Sequence, residues 1–185
     1  MRSLEFYQYL LANHACQASL NFAACKSWKT VYETCQRGDW LLWLFTRTNP
    51  DDLESLTRAK IECVKPFLHL TDDEVTLQGV ETTERFLRGD ISLGDLIRGS
   101  NHVDKRSYDL LMSKRHAEAH IATAVYSAMM QKIETDHCAA YAVASAAEWN
   151  AHKYEKWITK NNTLMLTADI CRQYLPYEIW SISNQ

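Results

Sequence analysis

Residues 35–45 read CQRGDWLLWLF. An Arg-Gly-Asp tripeptide runs straight into six large apolar residues, two of them Trp. Gly38 reads as the end of one helix and Asp39 as the N-cap of the next. Trp40, Leu41, Leu42, Trp43, Leu44 and Phe45 then cover every face of the new helix. A helix apolar on all sides has to be surrounded by protein or by lipid. Six residues rise only about 9 Å as a helix, far short of a bilayer. An adhesive loop would have to project into water, whereas this tripeptide leads into an apolar plug. The stretch therefore predicts a tight helix–helix corner organised by Arg37, Gly38 and Asp39, with Trp40 and Trp43 driven into the core.

Working outward, the chain keeps reading as helix. It has 185 residues, enough for one domain with a full core, and only five Gly and three Pro, too few for a loop-rich or all-β fold. On the N-terminal side, 3–12, about 14–24 and a stretch reaching Cys35 carry helical spacing. On the C-terminal side, Pro50 is placed to open a helix at its first turn, followed by Asp51, Asp52 and Glu54, with a break at Pro66. Thr71 and Glu74 have capping-box spacing for a helix that runs to Gly89. Ser92 and Asp95 can cap a short helix ending at Gly99. From about 104 to 134 there is neither Gly nor Pro, and an apolar stripe at Ala117, Ile121, Ala124, Val125 and Ala128 predicts one long helix. The Ala-rich segment after 136 suits close helix packing, with Asn161-Asn162 as a joint before a last helix that stops at Pro176. The expected architecture is all-α: a compact bundle of about eight helices over 1–176, the longest in the C-terminal half. An apolar tail, 177–185, either folds back or waits for a partner or a second copy of the chain.

Composition bounds function. A net charge of −3 and a pI near 6.2 argue against general nucleic-acid binding. No apolar run is long enough to cross a bilayer, and the N-terminus lacks a signal-peptide pattern, so the expected location is cytoplasmic and the six cysteines are expected to be reduced thiols. No phosphate-binding, dinucleotide-binding or nucleophile-elbow motif is present. Cys35 has no base visible beside it. His116 and His120, in HAEAH, share one helix face, but Glu118 lies on the far side, so the catalytic geometry of a zincin is missing. The polar stripe Ser113, His116, His120, Thr123 and Ser127 reads as a solvated face. The expectation is no enzyme, no cofactor and no metal site.

Charge is segregated along the chain. Residues 51–95 carry eleven acids against five bases, and 96–115 carry five bases against two acids. Asp51, Asp52, Glu54, Asp72, Asp73 and Glu74 become candidates for steering a basic protein partner. The basic segment 98–115 offers the alternative, a nucleic-acid or nucleotide-binding regulatory module.

With these residues in place, the chain resembles the bacterial and phage-borne immunity proteins of the Imm5-like type. The resemblance rests on CQRGDWLLWL at 35–44, where the family shows Cys-x-Arg-Gly-Asp-Trp and then apolar residues. LTRAKIECVKPFL at 56–68, the Ala-rich helix around 139–151 and ADICRQYLP at 168–176 agree with it. It implies a small, non-enzymatic α-helical inhibitor that neutralises a toxin or a host defence factor by occluding it.

Overall fold

The computed structural model describes residues 2–130, 138–151 and 155–184. Among them are ten α-helices rather than eight: α1 Ser3–Ala12, α2 Gln17–Ala23, α3 Trp28–Thr34, α4 Gly38–Thr48, α5 Leu53–Val64, α6 Glu74–Leu87, α7 Leu93–Met112, α8 His116–Met129, α9 Cys138–Asn150 and α10 Lys156–Tyr174. A 3-10 turn, Lys65–Leu70, follows α5 at Pro66, and two more carry the tail. No strand occurs among the described residues, so the fold is all-α. The two longest helices, α7 with 20 residues and α10 with 19, both lie beyond residue 92.

Several boundaries move from their expected places. Pro50 sits in a turn, and Asp52 caps α5 through the Ser55 N–H. The cap of α6 is Asp73, which accepts from the Thr76 N–H, while Thr71 only accepts from the Asp73 N–H. Ser92 and Asp95 do form a reciprocal capping box, but their helix runs on through Gly99. That glycine serves packing, not termination: a Cβ there would stand 3.0 Å from Met129 Cε and 3.2 Å from Thr82 Cγ2. The long helix expected over 104–134 is broken at 113–115, where Lys114 takes a left-handed φ of 61°. Residues 131–137 lie outside the described residues. Asn161-Asn162 is no joint, since α10 passes through it.

Two apolar clusters make the core. The first joins α1–α4 to the end of α10 around Phe6, Trp28, Leu42, Phe45 and Leu175; the second joins α6–α8 around Leu96, Val103, Ile121, Val125 and Met129. Helices α5 and α9 serve both, one on each side. Between Ala139 and Ala147 every residue of α9 is buried except Tyr141, because small side chains let α8 and α10 close on it. Buried Lys60 extends from α5 and donates from Nζ to the Met130 carbonyl at 3.1 Å, at the C-terminal end of α8.

The tail folds back. Trp180 is fully buried, meets Phe45 edge-on at 5.0 Å between centroids, and donates from Nε1 to the Leu175 carbonyl. It closes an aromatic cluster with Trp28 and Tyr32.

Candidate functional site

The 35–45 stretch forms the corner it predicts, by a different geometry. Helix α4 begins at Gly38, with Arg37 in the N-cap position and Asp39 inside the first turn. Arg37 clamps Asp39 with two parallel bonds, Nε to Oδ1 at 2.8 Å and Nη2 to Oδ2 at 2.6 Å. The same guanidinium lies 4.8 Å from the Trp40 ring centre. Gly38 is required because α10 crosses here: a Cβ would stand 2.7 Å from the Thr167 carbonyl carbon. The Gly38 carbonyl in turn accepts from the Cys171 thiol. Arg172 fastens the other side, donating to the Tyr32 and Cys35 carbonyls at the end of α3. Burial pushes the Cys35 thiol up to about 11, which keeps it protonated near neutral pH.

Leu41, Leu42, Leu44 and Phe45 enter the core as expected, but Trp40 and Trp43 do not plug it. They pack on its edge and face an open cleft of about 450 Å3. Arg47 rests on Trp43, 4.7 Å from its ring centre. His14 and Cys16 of the α1–α2 connection border the cleft on one side. His120 and Thr123 of α8, and Tyr141, Ala142 and Ser145 of α9, form the opposite wall. Its position between helices, with an apolar lining and a few convergent polar groups, is what a ligand site requires.

The polar groups on that wall and next to it divide into satisfied and unsatisfied ones. Lys160 pairs with Glu148 at 2.8 Å and donates to the Tyr141 hydroxyl at 3.3 Å. Thr123 donates back to the Ala119 carbonyl. The His120 ring makes no hydrogen bond among the described residues. Burial above all, then His116 and Lys160, push it towards the neutral form, with Glu148 opposing. Ser145 is 7% exposed, and its hydroxyl likewise has no hydrogen-bond partner among the described residues. The stripe read as a solvated face is thus divided: His120 and Thr123 look into the cleft, and Ser127 is buried. His116 stacks on Trp149 at 4.4 Å and 13°. Among the described residues no three His, Cys, Asp or Glu side chains stand together as metal ligands.

The acidic candidates are spread over two helix starts. Asp51, Asp52 and Glu54 lie where α5 begins, and Asp52 is spent on its cap. Asp72, Asp73 and Glu74 lie where α6 begins. Asp73 is buried and takes the Arg106 Nε at 2.6 Å. Burial pushes its carboxyl up, but the Thr76 N–H, Arg106 and the Thr76 hydroxyl together hold it below the usual range. Asp72 pairs with Arg115 at 2.8 Å, and Arg115 also pairs with Glu118. Arg98 pairs with Asp95. The acidic and basic segments therefore meet each other, and three of the five bases in 98–115 are committed within the protein.

Sequence reasoning did not single out His14, Tyr141, Ser145 or Lys160. Tyr141 carried a usable signal: it is the one bulky aromatic within an otherwise small-residue segment, AAYAVASAA at 139–147. No protein-family model matches this chain, and no curated protein or solved structure matches it.

Proposed function

We propose that the chain is a non-enzymatic binding protein that captures a protein partner, a toxin or defence factor, and neutralises it by occlusion, as the immunity-protein resemblance implies. One observation carries this reading. Helices α9 and α10 leave Trp149, Trp157 and Ile158 at the surface, with Trp157 74% exposed. Lys156 lies 4.9 Å from the Trp149 ring centre, and the neighbouring Glu148–Lys160–Tyr141 group leads from there to the mouth of the cleft. Large aromatics with a polar surround supply the anchoring energy of protein interfaces, and exposed apolar area of this kind marks interaction surfaces. Asp51 and Glu74, which remain exposed and make no ion pair among the described residues, are the acids best placed to steer a basic partner, whereas Glu54 is paired with Arg58 at 3.1 Å.

The alternative use of 98–115 on nucleic acid loses support from the internal pairing of Arg98, Arg106 and Arg115. A cytoplasmic setting belongs to the same proposal. It draws on the six free thiols and on the absence, among the described residues, of any helix long and apolar enough to cross a membrane.

The test compares partner capture from nuclease-treated host lysate by the parent and by the double variant Trp157→Ser, Ile158→Ser. Loss of two anchors is expected to weaken the partner's binding on the order of a hundredfold with an unchanged melting temperature. Equal retention by both forms would remove this surface from the account.

A further inference from the structure

We propose that the cleft beside Trp40 and Trp43 is a small-molecule site, and that it takes a neutral, planar heteroaromatic ring bearing a hydrogen-bonding edge. This goes beyond partner capture and stands on separate observations.

The first is the unsatisfied pair. A buried hydroxyl without a partner is rare and costs free energy unless something supplies the bond. Ser145 is such a hydroxyl among the described residues, and it borders the cleft. Its helix offers an ordinary remedy, donation to the carbonyl four residues back, which Thr123 and Ser127 both use on α8. Ser145 makes no such bond. On the same wall the imidazole of His120 is also without a hydrogen bond among the described residues. A neutral imidazole has one donor and one acceptor, and a hydroxyl can serve as both. A ring edge that carries a donor and an acceptor would satisfy both groups.

The second is the opposite wall. Trp40 and Trp43 stand three residues apart on α4, hence on one face, and both border the cleft. An indole at the wall of a cleft gives a planar ring stacking as well as burial, and here the Arg37 and Arg47 guanidinium groups lie 4.8 and 4.7 Å from the two ring centres. A saturated or branched ligand would gain the burial alone.

The third is charge. Arg37 is clamped by Asp39, and Lys160 is paired with Glu148. His120 is pushed towards neutrality by burial and by His116 and Lys160. Within the lining of the cleft, Arg37 and Asp39 therefore neutralise each other, and Thr123, Tyr141 and Ser145 are polar and neutral. A phosphate would have to take Arg37 from its carboxylate, so a free base fits better than its nucleotide.

The test is protein-observed NMR titration with adenine, indole and adenosine monophosphate, following the Trp indole N–H and His ring signals. Assignment uses Trp43→Leu and a His120→Gln variant. Adenine is expected to shift the Trp43 and His120 signals saturably, leaving Trp157 unmoved, and indole, whose edge carries a donor but no acceptor, is expected to bind more weakly. Trp43→Leu, which keeps an apolar side chain, is expected to weaken binding about three- to tenfold. Ser145→Ala should weaken it by a similar factor while unfolding no more easily than the parent, since it removes an unsatisfied hydroxyl. A structural serine would instead destabilise on substitution and leave affinity unchanged, and that pattern would overturn the role given to Ser145. No saturable shift with adenine would overturn the site. Binding of the monophosphate tenfold or more tighter than adenine would overturn the neutral class.

Discussion

Gly38→Ala is the most demanding test of how the candidate site is assembled. The added methyl would lie 2.4 Å from Thr167 Oγ1 and 2.7 Å from both the Thr167 Cβ and carbonyl carbon. Ordinary contacts begin near 3.4 Å, so α10 must retreat from α4 by roughly 0.7 Å. A rotamer change of Thr167 cannot supply that, because its Cβ and backbone carbon do not move with the rotamer. The retreat would also stretch the Cys171–Gly38 and Cys63–Thr167 contacts that bind α10 to α4 and α5. Overpacking of this kind costs about 1–3 kcal/mol, more where backbone must shift. Alanine's better helix propensity returns at most about 1 kcal/mol. Because backbone must move here, the cost lies at the top of that range or above it, and the net loss of about 2–3 kcal/mol corresponds to a melting temperature lower by about 5–10 °C at this chain length. The assay is urea unfolding beside a thermal melt, reading the midpoint at unchanged m. Adding Thr167→Ala should restore little, since the Cβ and carbonyl carbon remain. A melting temperature unchanged by Gly38→Ala, or full rescue by Thr167→Ala, would refute the close crossing of α4 and α10.

Three further outcomes are expected. Trp180→Ala should cost about 3–5 kcal/mol in a denaturant titration, because the tail residue is fully buried in the aromatic cluster; a cost under about 1 kcal/mol would mean that the tail only rests on the domain. Asp73→Ala should cost about 1–2 kcal/mol through the lost cap. The carboxyl is held below its unfolded value, so its contribution is present above about pH 4 and disappears as pH falls through the folded value. Parent and variant stabilities should converge in acid, and a gap that stays constant would contradict the ionised cap. Lys114→Gly should raise stability by about 1 kcal/mol, since a side chain occupies a left-handed position there, whereas Gly89 already fills the equivalent place after α6 with a φ of 78°.

Much of the fold was legible in the sequence. Sparse Gly and Pro and persistent helical spacing give the all-α class. The Ser92–Asp95 box, the stop at Gly89 and the last helix ending before Pro176 follow local rules, so local residues sufficed. What failed depended on neighbours far along the chain. Gly99 looks like a terminator until Met129 and Thr82 are seen against it. Thr71 and Asp73 compete for one cap, and Arg106, thirty-three residues away, is what anchors the winner. The acidic and basic segments look like two separate surfaces until Asp72 meets Arg115 and Asp73 meets Arg106.

The cleft was the least legible part, for the same reason. In 40–45 every residue is apolar, and periodicity cannot separate those facing the core from those facing an open cleft. The two that face the cleft are both Trp, whose large ring is comfortable half-buried. The cleft's other wall is built from α8 and α9, some eighty to a hundred residues away, and no spacing in the sequence joins Ser145 or His120 to Trp43.

The proposed function is to bind and cover a partner. The measurement that tests it most directly is a titration of the captured partner's activity against increasing amounts of this chain. A linear fall that reaches completion at one equivalent is expected, with full activity restored when the complex is dissociated. Loss of activity at a small fraction of an equivalent, continuing with time, would mean catalytic turnover and would contradict it.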